Sequence, residues 1–434
     1  MANQTGKRGV TRRQVLVGLG ATAAGVLAGT RPAAPAVARA KTRLVYANYE
    51  QKQTGVIAGL SNYWDLAKDA FERKYPDIEI VQVSVPSSEY WNKLFTEITT
   101  GNAADLYKDR LSEVVQFARM GLLSPLDELC NVKDINASFE DIQKIQIVDA
   151  NTYGAAYQGG SHQLVYNKTL LSKAGLKVPG TPEEAYEFAK KLTKPGEQWG
   201  FVVVTPSVPQ LYVDLTQWVV GYNSHWGDKG RVTATADATV AAMEMYRRLV
   251  AEGITPVGVP KPQPREMFVA GKIGMMIEGP WFFADPKITP ERMAFMGTAT
   301  LPWANKRSVG SASAFIVPKA AKNKEAAGKF IDFCCSQEWQ IKFLEVAKLP
   351  GNRKGAFPKS FIDKFPFMAA YAEGGSKAVD SCPSGLEDVF KQLQKYVIDA
   401  AGEFLFKNVP VKKALETVQA QMEKELEAGN KKKS

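Results

Sequence analysis

The pattern of apolar and polar positions divides the chain into short strands and amphipathic helices in alternation. Leu44 to Ala47 reads as a strand, with Asn48, Tyr49 and Glu50 at its carboxyl end. A helix is expected from about Trp64 to Lys74, with Ala67, Ala70 and Phe71 on one face and Pro76 as its stop. Ile78 to Val85 alternates as a half-exposed strand does. Trp91–Thr100 reads as a helix ending at Gly101, Asp105–Tyr107 as the next strand, and Glu113–Met120 as a helix ended by Gly121. Thr181, Pro182 and Glu184 supply the N-cap, first-turn proline and early acid of a helix start. Tyr212–Gly221, Asp237–Glu252, Lys324–Cys335 and Val409–Leu426 are further helices, and Gly429–Ser434 is expected to be a disordered basic tail. This succession predicts an α/β layered fold.

One stretch, Phe268 to Trp281, carries the sharpest local signals. A helix ends near Val269, and Gly271 is free to take the left-handed conformation of a helix C-terminus. Ile273–Ile277 is an apolar run of strand length, and Gly274 within it lets something approach the backbone closely. Gly279 and Pro280 then turn the chain, which places Trp281 at the carboxyl end of a strand, where open α/β sheets hold their ligands. The alternative is a core tryptophan after an ordinary turn. Tyr49, Tyr107, Trp218, Trp226 and Trp303 also fall at strand ends, helix ends or loops, and Asn223 lies beyond the 212–221 helix. Flat aromatic rings suit the apolar faces of a small ligand, and Asp, Asn, Arg and Gln suit its polar groups.

Composition removes several classes of function. The chain has 434 residues and a formal net charge of +10. Lys7, Arg8, Arg12, Arg13, Arg31 and Arg39 stand in residues 1–40 without a single acid, and Lys431–Lys433 add to the other end. The body between is close to neutral, which argues against a nucleic-acid partner. Only His162 and His225 are present, too few for a histidine-based zinc site, and no cofactor is expected. There is no G-x-S-x-G elbow, and Ala270-Gly271-Lys272 lacks the rest of a P-loop. Cys130, Cys334, Cys335 and Cys382 form no metal or disulfide framework, although a Cys130–Cys382 bridge is compatible with an oxidising compartment. Thr11-Arg12-Arg13 followed by a weakly apolar segment to Ala28 and by Ala38-Arg39-Ala40 resembles a twin-arginine export signal over residues 1–40, with cleavage before Lys41 and no lipoprotein cysteine.

The central stretch also resembles the F-x-x-G-K…G-x-W signature of the extracellular solute-binding proteins of ABC importers, the sugar-type family 1 whose members include the maltose-binding type. Other segments carry the same likeness in the same order. Gly101 to Leu126 is similar to the family's strand-and-helix run, and Asp109-Arg110 falls where sugar-binding relatives have a pair contacting hydroxyls. Tyr153 to Lys168 is similar to the segment that crosses between lobes, with Gly159-Gly160 at the bend and Ser161 and His162 toward the cleft. Gly297–Pro302 is similar to the second crossing, Gly310–Pro318, which contains Ser311, to the Gly-rich strand at the cleft, and Leu349–Arg353 to the family's L-P-x-x-R loop. The resemblance covers Leu44 to Leu426.

It implies a two-lobed α/β periplasmic-binding-protein fold with three crossings between lobes and a ligand cleft between them. The first lobe would comprise 41–158 and 301–334, and the second 159–299 and 335–428, with the third crossing near Cys335-Ser336. It implies a soluble periplasmic monomer that captures a mono- or oligosaccharide, delivers it to an ABC permease and does no chemistry. The expected ligand-binding set is Asn48, Tyr49, Tyr107, Asp109, Arg110, Ser161, Trp218, Asn223, Trp226, Trp281, Ser311 and Arg353. A charged organic solute held by Arg110 or Arg353, or a glycan-acting enzyme, are the competing readings.

Overall fold

The computed structural model describes residues 40–51, 58–259, 263–285, 288–310 and 312–433. The expected export signal, apart from Ala40, and Ser311 lie outside these residues. Lys41–Ser434 forms one compact unit.

Two sheets organise it. The first contains β1 (Thr42–Asn48), β2 (Ile78–Ser84), β3 (Leu106–Arg110), β4 (Ala155–Gln158) and, from much later in the chain, β9 (Ser313–Ile316), in the order β2-β1-β3-β9-β4. β1 pairs parallel with β2 and β3, while β9 runs antiparallel to β3 and β4. The second contains β5 (Gln163–Asn167), β6 (Trp199–Val202), β7 (Ile273–Glu278) and β8 (Met296–Ala299), in the order β8-β5-β7-β6. β7 and β6 are parallel, so their carboxyl ends emerge together.

Alternation along the strands feeds both faces of each sheet. In the first, Leu44, Tyr46 and Leu106 join α1 (Ala58–Lys74), α6 (Lys324–Cys335) and α7 (Gln337–Ala347) in an aromatic core with Trp64, Phe71, Phe330 and Phe343. Ala47 and Tyr107 face α2 (Ser87–Thr100) and α3 (Leu111–Arg119) on the other side. In the second, Met275 and Ile277 pack with α4 (Pro209–Gly221), α5 (Asp237–Ala251), α8 (Phe390–Phe406) and α9 (Val411–Lys433), whereas Met276 packs with Phe268 and Phe282.

The local signals of the central stretch hold. Gly271 has φ +77°, and a Cβ on Gly274 would come within 2.7 Å of the Gly200 carbonyl. Thr181 caps its helix by accepting from the Glu184 amide at 3.0 Å.

Three passages link the sheets side by side. β4 runs into β5 through Gln158–Gln163, β8 leads to β9 through 300–312, and the third lies at Leu349–Arg353. Ser161 bridges Gly310, and Gln158 bridges Gly351.

The third passage corrects the expected one near Cys335-Ser336. Ser336 ends α6 and caps α7, accepting from the Trp339 amide, and Trp339, Phe343 and Ala347 complete the first core. Leu301 and Trp303, expected in the first lobe, pack in the second core. The expected tail is also corrected, because α9 continues to Lys433. All four cysteines are free thiols, so no Cys130–Cys382 bridge forms.

Candidate functional site

The parallel pairing of β1 and β3 sets Ala47 opposite Tyr107, so both strands end at one edge of the first sheet. Glu50 and Lys108 meet there, both buried, and form an ion pair. Glu50 also accepts from Trp64 Nε1 at 2.7 Å and from the Tyr157 hydroxyl at 3.3 Å. Lys108 Nζ donates to Gln158 Oε1 at 3.3 Å and lies 4.4 Å from the centroid of the Tyr49 ring. Burial alone would lower the pKa of Lys108, but the Glu50 charge and Tyr49 outweigh it and raise the value.

Tyr49 meets Tyr90 and Trp91 edge-on, and the Arg110 guanidinium lies 3.8 Å from the Trp91 ring centroid, a stacked cation–π contact. The half-buried rings of Tyr49 and Trp91 and the exposed Arg110 thus make an aromatic, cationic surface at this edge.

In the second sheet the charged strand end is that of β7. Glu278 is buried there and grips Arg265 through two bonds of 2.8 and 3.0 Å. The same carboxylate accepts from the Gly279 amide at 2.9 Å and from Trp281 Nε1 at 2.8 Å. It therefore fixes the orientation of the Trp281 ring. A Cβ on Gly279 would lie 2.1 Å from that ring, so this position requires glycine for space. Trp281 is half-buried, stands edge-on to His162 at 5.1 Å, and packs against the core of the first lobe although β7 belongs to the second. His162, through Nδ1, contacts the Val309 carbonyl at 2.9 Å, so it sits among the crossing strands.

Beside Glu278 a cavity of about 120 Å³ opens between the ends of β6 and β7 and the start of α4. A second, larger groove of about 840 Å³ is lined by Arg119, Lys144, Asn223, His225, Arg307 and Asp380, among others. Arg119 crosses from α3 to Glu387 at 3.1 Å in this second region.

Several expected site residues lie elsewhere. Trp218 and Trp226 are fully buried in the second core, Trp218 against Trp303 and Trp226 donating to Thr216 at 2.8 Å. Their helix-end positions face inward because α4 is apolar on nearly all sides. Tyr107 points to the α2 face and donates to Glu97 at 2.6 Å. Asn48 is buried and accepts from the Glu50 amide and Ser84, so it shapes the turn that presents Tyr49 and Glu50. Asp109 is buried, and burial together with the Glu113 carboxyl pushes its pKa well up. Ser161 is buried and accepts from Gln163. Arg353 is bound through two bonds of 2.7 and 2.8 Å to Asp134, which removes it as an anchor for a charged solute. Asn223 lines the larger groove and accepts from Asn305.

Of the expected set, Tyr49, Arg110 and Trp281 thus remain partly exposed at the ends of strands. Glu50, Lys108, Trp91, Arg265 and Glu278 were not anticipated. A lysine inside a buried strand and an acid closing an all-apolar one are the signals that mark Lys108 and Glu278.

Comparison with known proteins agrees with this architecture. The model of the family described as "Bacterial extracellular solute-binding protein" matches residues 55–341. A putative binding protein of Brucella abortus is 29% identical over 358 residues, covering 80% of this chain and 85% of the relative. The diacetylchitobiose-binding protein DasA of Streptomyces coelicolor is 27% identical over 300 residues, covering 64% and 66%. Among solved structures, a Thermotoga lettingae ABC transporter solute-binding protein with bound α-D-tagatose has a TM-score of 0.76 at 22% identity, covering 89% of this chain and all of its own. The GacH receptor of Streptomyces glaucescens, solved with acarbose, has a TM-score of 0.76 at 20% identity, covering 89% and 99%.

Proposed function

The chain belongs to the bacterial extracellular solute-binding proteins, and from that premise we propose that it captures a mono- or oligosaccharide between its two lobes and delivers it to an ABC permease. It is a sugar-type ABC solute-binding protein and not an enzyme. The observation that carries the proposal is Trp281. Its ring is oriented by a buried carboxylate, kept clear by a glycine, and reaches from the end of β7 to the opposite lobe. Tyr49, Trp91 and Arg110 offer the complementary face on the first lobe. Stacking on ring faces and hydrogen bonding to hydroxyls are what a pyranose requires. Because ligand contacts both lobes together only in the closed form, binding shifts the population toward closure, and the closed monomer is what the permease recognises.

Relatives support the carbohydrate class, since those of Pyrococcus abyssi and Streptomyces coelicolor are named for maltotriose and diacetylchitobiose. Among the described residues no helix is long and apolar enough to cross a membrane. The arginine pair Arg12-Arg13 and Ala38-Arg39-Ala40 support twin-arginine export to the periplasm. Native mass spectrometry of the protein purified from its periplasm tests the solute class. An adduct with a carbohydrate mass is expected, and an organic acid or amine in its place would overturn the reading.

A further inference from the structure

Glu278 closes an otherwise apolar strand, and its side chain is only 1% exposed. A carboxylate this far from water is unfavourable unless its charge is met and its lone pairs are filled. Arg265 does both. It stands on the short helix Gln263–Val269, 13 residues earlier in the chain. Gly271, at φ +77°, turns the chain between the two, and the helix lies back against β7, with Phe268 and Met276 in one core. Arg265 Nε donates to Glu278 Oε2 at 2.8 Å, and Nη2 donates to Oε1 at 3.0 Å. Burial alone would lower the pKa of Arg265, but the Glu278 charge outweighs it and raises the value.

This fork has a geometric consequence. A planar guanidinium that grips both oxygens fixes the rotation of the carboxylate about its last bond, which a point charge does not. Oε1 is thereby held where it accepts from the Gly279 amide at 2.9 Å and from Trp281 Nε1 at 2.8 Å. The backbone of the same residue is held separately, because the Tyr371 hydroxyl donates to the Glu278 carbonyl at 3.0 Å. The direction of the indole N–H, and with it the plane of the Trp281 ring, is thus set from Arg265. We propose that Arg265 is a positioning residue for carbohydrate binding, acting through Glu278 and the Trp281 ring rather than by contact with the ligand. The proposal rests on the carbohydrate reading above and adds to it the residue that aligns the stacking ring.

A double-mutant cycle separates this role from a merely structural one. Arg265→Lys keeps the charge and removes the fork. Trp281→Phe keeps an aromatic ring and removes the N–H through which the fork acts. Calorimetric titration uses maltose, maltotriose and diacetylchitobiose as probes. Arg265→Lys should weaken whichever of them binds by at least about fivefold, and by less than about twofold in the Trp281→Phe background. An equal loss in both backgrounds, or no loss in either, overturns the proposal. A second readout needs no ligand. In protein labelled with ¹⁵N at its tryptophan indoles, the Trp281 N–H resonance is the one lost in Trp281→Phe. It should exchange slowly with solvent in the wild type, and faster and at a changed shift in Arg265→Lys. A wild-type Trp281 N–H that exchanges as an exposed indole does overturns the proposal even if Arg265→Lys does not fold. Sugar binding with a failed cycle removes Arg265 alone and leaves the carbohydrate reading standing. Binding of none of the three sugars, with no carbohydrate found by mass, overturns both.

Discussion

Substituting Gly279 by alanine isolates the role of Trp281 without touching the tryptophan. The backbone there has φ −87°, which alanine adopts without strain. The obstacle is the ring: an added Cβ would lie 2.1 to 2.3 Å from three of its carbons. Carbon atoms in contact prefer about 3.5–4.0 Å, so the ring must withdraw by more than about 1 Å. That displacement breaks the 2.8 Å bond from Trp281 to the buried Glu278 carboxylate. A hydrogen bond to a charged group contributes about 1.5–3 kcal/mol, and the loss of a defined stacking plane falls on the ligand in addition. Gly279→Ala should therefore weaken carbohydrate binding at least tenfold, about 1.4 kcal/mol, while thermal unfolding shifts by only a few degrees.

Gly271→Ala is the control. It sits at φ +77° with nothing within 4 Å of the added methyl, so it strains the backbone in open space. It should lose about 1–2 kcal/mol of stability and no affinity. Calorimetric titration beside thermal denaturation of the three proteins reads both quantities. Affinity of Gly279→Ala within twofold of wild type would refute the assignment of Trp281 as a ligand platform.

Three further outcomes follow from the same geometry. Lys108→Met should destabilise the protein by about 3–5 kcal/mol in denaturant unfolding, because it leaves Glu50 charged and buried without its partner, and wild-type stability would show the pair to be dispensable. Burial pushes the Asp380 carboxyl up to about 6, so the folded protein keeps a proton that the unfolded chain has released between about pH 4 and 6. Stability should accordingly fall as pH rises through that window, by at most about 3 kcal/mol and by less as solvent in the groove screens the half-buried group. Asp380→Asn should remove this dependence, and an unchanged pH profile would contradict it. Arg12→Lys with Arg13→Lys should leave unprocessed precursor in the cytoplasm on fractionation, whereas normal periplasmic accumulation would end the twin-arginine assignment.

The layout of strands and helices was largely legible because its signals are local. Gly271 at a helix end, Gly274 against Gly200, Thr181 as a cap and the Ile273–Glu278 strand depend on a few neighbours each. The placement of Trp281 just after a strand was legible for the same reason, since strand, turn and aromatic follow one another directly. The side chains that depend on packing between distant segments were not. Trp218 and Trp226 occupy helix-end positions that suit a cleft, but Trp303 closes over Trp218 from a distant segment and Trp226 is buried in the same core. Arg353 is claimed by Asp134, some 200 residues earlier in the chain. Lys108 and Glu50 meet only because β1 and β3 pair in parallel, a register that no local pattern encodes. The third crossing was misplaced because Cys335-Ser336 does end a helix, while the next helix returns to the same core.

The central claim is that a carbohydrate is held in the cleft against Trp281. Titration of wild type and Trp281→Ala with the carbohydrate found to bind tests it most directly. Trp281→Ala should lose at least tenfold in affinity, about 1.4 kcal/mol or more, with the unliganded melting temperature lowered by only a few degrees because the ring is half-buried. Equal affinity in the two proteins, accompanied by a large loss of stability, would place Trp281 in the core and contradict it.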